Sequence, residues 1–163
     1  MFKAIVLAGT ILAELPLAAT AVLGRPKRTA RRVLRLSGSG ISTSDSVSGT
    51  FVVLATGDGA RLGRITLKGQ GVFAPADSVL SFTGAATLVA DNGDELTGTF
   101  EGSSTPLSGE GHATFLLTIT GGSGRFQNAS GTMNVITHGE LMSTHKSLVV
   151  YCNQFTSTGT LSY

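Results

Sequence analysis

The chain has 163 residues, of which 41% are hydrophobic and 6% aromatic, and its 22 glycines, 17 serines and 21 threonines suit short strands and tight turns, which excludes a helical bundle for what its length suggests is one domain. Its one cysteine, Cys152, excludes an internal disulfide framework and a thiolate-rich metal site. The net charge of +2 divides into +6 over residues 1–39 and −4 over residues 40–163, and an acidic body without a basic stripe has no footprint for nucleic acid.

After Met1-Phe2-Lys3, the run Ala4 to Gly24 is apolar apart from Thr10, Glu14 and Thr20, and Ala19-Thr20-Ala21 has the small-x-small form of a cleavage site. This pattern predicts a signal peptide over residues 1–21 and a secreted or periplasmic protein. Glu14 inside the apolar run and six basic residues between positions 25 and 35 fit a second reading, an uncleaved membrane anchor over residues 4–24, in which the positive-inside bias keeps the domain cytoplasmic. A third is that translation starts elsewhere and the stretch is no native leader. Residues 22–46 are basic and then Ser/Gly-rich, ending in Ser37-Gly38-Ser39-Gly40-Ile41-Ser42-Thr43-Ser44. Apolar content this low predicts a linker, with the ordered domain over residues 47–163.

Within the domain, period-two alternation recurs. Strands are expected at about 47–56 and 61–68, and then Leu80, Phe82, Gly84, Ala86, Leu88 and Ala90 share one face. Asp91-Asn92-Gly93-Asp94 is a hairpin turn in which the Asn-Gly pair tolerates positive φ. Leu96, Gly98 and Phe100 form the apolar face of the return strand, and Ala113, Phe115, Leu117 and Ile119 that of the next. Three more strands are expected at about 131–138, 146–153 and 155–162, which makes eight. Eight short antiparallel strands lose their exposed edges when the sheet closes on itself, which predicts an all-β, up-and-down antiparallel barrel of the calycin kind. A two-sheet β-sandwich is the alternative, since alternation alone does not separate the two.

The most distinctive stretch is Leu117-Thr118-Ile119-Thr120-Gly121-Gly122-Ser123-Gly124-Arg125-Phe126-Gln127-Asn128-Ala129-Ser130-Gly131. It is a strand ending in a glycine-rich bend, with Phe126 as a plug and Gly131 opening the next strand. This segment resembles the glycine-rich segment of the allene oxide cyclase and dirigent barrels. It is closer still to an ITGGTGRF-type segment of secreted bacterial barrels of unknown role. Those bacterial barrels are also similar at Gly59-Ala60-Arg61-Leu62-Gly63-Arg64, Ala90-Asp91-Asn92-Gly93-Asp94-Glu95-Leu96 and Gly98-Thr99-Phe100, so the resemblance spans about Val47 to Tyr163 and implies the same eight-stranded barrel. The cyclases work with buried polar groups and the dirigent proteins with acidic cavity residues. Neither set matches positions here, so the resemblance names no catalytic residue. In this motif Gly121, Gly122, Gly124, Phe126 and Gly131 are structural, with Gly121, Gly122 and Gly124 expected to supply backbone angles closed to other residues.

Other chemistry is weakly signalled. Gly57-Asp58-Gly59-Ala60-Arg61-Leu62 lacks the closing glycine of a dinucleotide loop and precedes a strand, and Ser123 is not in a nucleophile elbow because Arg125 replaces the last glycine. His138 and His145 would face each other if a hairpin turned near Leu141-Met142, with Glu140 beside them, but the spacing matches no metal signature. His112 falls on the polar face. Asp91, Asp94 and Glu95 read as turn chemistry rather than a calcium loop. Cys152, on one strand face with Leu148 and Val150, is expected to pack as a small hydrophobe. Asn128-Ala129-Ser130 is a formal glycosylation sequon. No cofactor or metal is expected.

The function that fits is a secreted, non-catalytic barrel that binds a small apolar ligand or serves as a surface module. Phe82, Ala86, Phe100, Phe115 and Leu117 are the expected ligand-facing residues, since large and small side chains alternate inside small barrels that hold one ligand. The alternative is a cyclase or isomerase acting on an apolar substrate in the lumen. That requires buried polar groups, for which Arg64 is the main charged candidate.

Overall fold

The computed structural model describes residues 31–76, 79–105 and 110–163. The proposed signal peptide and the alternative anchor lie outside the described residues. Eight strands run in chain order: β1 (Arg31–Asp45), β2 (Thr50–Gly59), β3 (Gly63–Ala76), β4 (Val79–Ala90), β5 (Glu95–Ser104), β6 (Glu110–Gly122), β7 (Ser130–His145) and β8 (Leu148–Ser162). Each pairs antiparallel with the next, and β1 pairs with β8, so the sheet closes into an up-and-down barrel. The barrel, and not the sandwich, is the fold.

The predicted strand count of eight was reached by two compensating errors. The segment read as a linker over residues 22–46 contains β1, which pairs with β8 from Arg31↔Ser162 to Asp45↔Leu148 and with β2 from Leu36↔Gly59 to Asp45↔Thr50. The ordered domain thus begins at least sixteen residues before Val47, at Arg31 among the described residues. The two short strands expected at 146–153 and 155–162 are a single one, β8. β1 was hidden because only Leu34 and Leu36 are large apolar residues on its buried face. The next inward positions are Gly38, Gly40, Ser42 and Ser44, which carry no hydrophobic signal.

Those glycines are dictated by how close the strands approach. Gly38 and Gly57 are cross-strand partners, as are Gly71 and Gly84. A Cβ at Gly38 would run into the Thr56 carbonyl oxygen, and one at Gly84 into the Gln70 carbonyl oxygen. The space left on these bare backbones is taken by rings: Phe155 lies against Gly38, Phe51 against Gly71 and Phe100 against Gly84. Glycine bends the wall and an aromatic ring restores the buried surface.

The β4–β5 turn follows expectation in outline. Gly93 takes φ 84° and donates its N–H to the Ala90 carbonyl, while Ala90 donates to the Asp94 carbonyl, the Asn92 side-chain amide donates to the Asp94 carboxylate and the Asp94 N–H donates to Asn92 Oδ1. Positive φ is taken by Gly93 alone of the Asn-Gly pair.

One end of the barrel is plugged. The β6–β7 connection makes one turn of 3-10 helix, Gly124–Phe126, and drops Phe126 into the core with Leu96, Ile119, Met133 and Leu161. The Phe126 ring meets Tyr163 edge-on at 4.8 Å and carries the Arg125 guanidinium on its other side at 4.7 Å. Arg125 also pairs with Asp94 at 3.1 Å, and Ser123 donates its N–H to the Glu95 carbonyl, which ties the bend to the β4–β5 turn.

The motif glycines divide by role, and not as expected. Gly124 needs its left-handed φ of 57°. Gly131, at φ 157°, combines a positive φ with lack of room, since a Cβ there would strike the Thr160 carbonyl oxygen, whereas Gly122 has an ordinary φ but a Cβ there would strike the Glu95 carbonyl oxygen. Gly121 requires neither angle nor space: its nearest neighbour to an added Cβ is 3.8 Å away. Gly121→Ala should therefore change stability by no more than about 0.5 kcal/mol, whereas Gly122→Ala should cost about 1–3 kcal/mol. Equal costs in chemical denaturation would overturn the steric account.

Candidate functional site

Among the described residues nothing closes the other end of the barrel, and a cavity of about 450 Å³ runs into it. One wall is aromatic. Phe51, Phe82, Phe100 and Phe115 come inward from β2, β4, β5 and β6, with neighbouring ring centroids 5.6 to 6.3 Å apart. Such edge-on and tilted pairs stabilise one another beyond the area they bury. Leu67, Ala86, Leu88 and Leu117 extend the apolar lining toward the plug. Gly69 leaves a gap in it, since an added Cβ would meet nothing nearer than 3.8 Å.

The opposite wall is mixed. β8 places Val149, Tyr151, Asn153, Phe155 and Ser157 inward, and β1 adds Ser42 and Ser44 near the mouth. Asn153 Nδ2 donates to Ser42 Oγ at 2.8 Å and to the Tyr151 carbonyl at 3.4 Å. Burial pushes the Tyr151 phenol above its ordinary pKa, so it stays neutral and keeps its proton. Ser157 is 5% exposed, and its Oγ has no hydrogen-bond partner. Among the described residues lining the cavity there is no Asp, Glu, Lys or Arg.

All five residues expected to face a ligand, Phe82, Ala86, Phe100, Phe115 and Leu117, line this cavity. The polar seam on β8 was missed because Leu148-Val149-Val150-Tyr151-Cys152 is apolar at both parities. Choosing Leu148, Val150 and Cys152 as the inward set inverted the strand. In the structure Cys152 is exposed on the outer wall, so it does not pack as a core residue. Tyr151 and Phe155, both buried, were the residues that fix the parity.

His138 and His145 do not face each other. The hairpin turns at 145–148, not at Leu141-Met142, so both lie on β7, seven positions apart. His138 instead pairs across the sheet with His112, ring centroids 4.6 Å apart and edge-to-face, on the exposed outer wall. Among the described residues no group of three or more His, Cys, Asp or Glu side chains converges to hold a metal. Arg64 is exposed on the outside and contributes nothing to the lumen, and Asn128 of the sequon is exposed beside the plug.

Comparison with protein-family models and with curated proteins returned no match for the chain.

Proposed function

We propose that the barrel binds a small apolar ligand in its lumen. The observation that carries this reading is a cavity of about 450 Å³, walled by four phenylalanines and carrying no Asp, Glu, Lys or Arg among its described lining residues. Volumes of this size are typical of sites that enclose a small molecule, and a barrel of eight strands is just wide enough for one. The resemblance to the allene oxide cyclase and dirigent barrels supports the same reading. Secretion belongs to the proposal too: N-terminal sequencing of protein recovered outside the cytoplasm should show a chain beginning just after Ala21, and an intact Met1 in that fraction would count against it.

Gly69→Leu tests the ligand site. Gly69 lines the cavity and a Cβ there stays in ordinary contact at 3.8 Å, so the leucine should fill cavity space, and the variant should melt like the wild type and bind at least about tenfold more weakly. Titration of fatty acids and phenolics by calorimetry would read this. Silence of the wild type across the panel would overturn the proposal, as would undiminished binding by a folded Gly69→Leu protein.

The cyclase or isomerase reading of the same lumen has one observation in its favour, the neutral phenol of Tyr151, a proton donor held inside an apolar wall. Ligand that is bound and released chemically unchanged by wild type and Tyr151→Phe alike would count against it.

A further inference from the structure

The polar groups of the lumen define the ligand more narrowly than its volume does. Ser157 lies deep in the cavity, level with Leu36 on one side and Val135 on the other, while Asn153 and Tyr151 lie closer to the mouth. Among the described residues, Ser157 Oγ is the buried side-chain polar atom with no hydrogen-bond partner. A buried hydroxyl without a partner is destabilising, and each such group in a native protein calls for an explanation, whether strain, a bound water or ion, or a functional role. Asn153 is different: its amide nitrogen is spent on Ser42 and on the Tyr151 carbonyl.

Charge narrows the choice further. The described lining offers no cation for a carboxylate or phosphate to meet, and His112, at the rim, is solvent-exposed. An anionic head lodged at the floor would be buried without a counter-charge, which is far costlier than burying a neutral oxygen. A hydroxyl or carbonyl oxygen needs one hydrogen bond, and the Ser157 hydroxyl, covered in the rotamer present, can donate or accept it once it turns about χ1 toward the cavity that Ser157 lines. The aromatic wall favours a flat ring system above that oxygen.

Resting on the ligand-binding reading, we propose that the lumen takes an uncharged, ring-containing alcohol or ketone, inserted oxygen-first so that its oxygen hydrogen-bonds Ser157. Fatty acids seated carboxylate-first are excluded by the same argument.

The test uses naphthalene, naphthol and naphthoate, one ring system bearing hydrogen, hydroxyl or carboxylate. The chain has no tryptophan, so naphthyl fluorescence reports binding directly. Wild-type protein should bind naphthol about two- to tenfold tighter than naphthalene, the span a single net hydrogen bond supplies, and naphthoate most weakly. In Ser157→Ala the preference for naphthol should vanish while naphthalene affinity is kept. Ser157→Thr, which retains the hydroxyl, should keep the preference, and melting curves of both variants establish folding. Naphthalene and naphthol binding with an unchanged ratio in Ser157→Ala would overturn this inference and leave the ligand-binding reading standing. Naphthoate binding as tightly as naphthol would do the same. Failure of all three to bind the wild type would overturn both.

Discussion

Phe126→Ala should lower the stability of this barrel by about 3–5 kcal/mol, the cost of truncating a fully buried phenylalanine, and its melting temperature by roughly 10–20 °C. The ring is 1% exposed and touches both elements that close the plugged end, Tyr163 edge-on and the Arg125 guanidinium over its face. Its position is set by the bend and not by the ring alone. Phe126 donates its N–H to the Ser123 carbonyl and accepts from Ala129, and Gly124 starts the helical turn at positive φ. Alanine therefore keeps the backbone and leaves a void the size of the ring, which rigid strands on all sides cannot collapse to fill. Phe126→Leu should recover most of the loss. Because the cavity lies toward the far end, the affinity of any ligand it is shown to bind, measured on the folded fraction, should be unchanged by either substitution. A Phe126→Ala protein with a wild-type melting temperature would show that the motif is not a plug.

The reach of sequence reasoning in this chain follows from where hydrophobic side chains are needed. β4, β5 and β6 alternate large apolar residues with threonine, and their inward faces, from Leu80 to Ala90 and from Ala113 to Ile119, are buried or half-buried as the period requires. The five residues on these strands that line the cavity were legible for that reason. β1 fails the same test because its inward face is made of residues that fit by being small: Gly38 and Gly40 would strike the carbonyls of Thr56 and Leu54 if they had a Cβ. Tight approach between strands writes itself as Ser-Gly repeats, the composition of a linker. β8 failed for the opposite reason, too many apolar residues at both parities in 148–152, so Tyr151 and Asn153 fell to the outside, while Ser157 lay on a separately expected strand with no face assigned. The histidine pair was out of reach because it depends on the register between β6 and β7, which no local period encodes.

The sharpest separation between linker and strand comes from removing residues before Val47. A linker could be deleted without effect on the domain. As β1, the segment supplies two hydrogen-bonded edges at once, closing β8 along its length and covering β2, and it carries Leu34 and Leu36, 3% and 5% exposed, into the core. A chain beginning at Val47 would leave β2 and β8 as long unpaired edges, the arrangement most prone to intermolecular pairing. It would also open the cavity along one side, since Leu36, Ser42 and Ser44 line it. The loss of burial and of one whole ladder on each side exceeds the roughly 5–15 kcal/mol that holds a typical domain together. The truncated chain should therefore show no cooperative melt and should aggregate, and a synthetic peptide of residues 31–45 added during refolding should restore a soluble barrel. Gly38→Val in the full chain gives the same answer at one position, since its side chain must displace the Thr56 carbonyl and the Phe155 ring together; overpacking at a single core site already costs about 1–3 kcal/mol, and here backbone must move as well. A monomeric, cooperatively folding chain from Val47 onward, with the melting temperature of the full chain, would return residues 31–45 to the role of a linker.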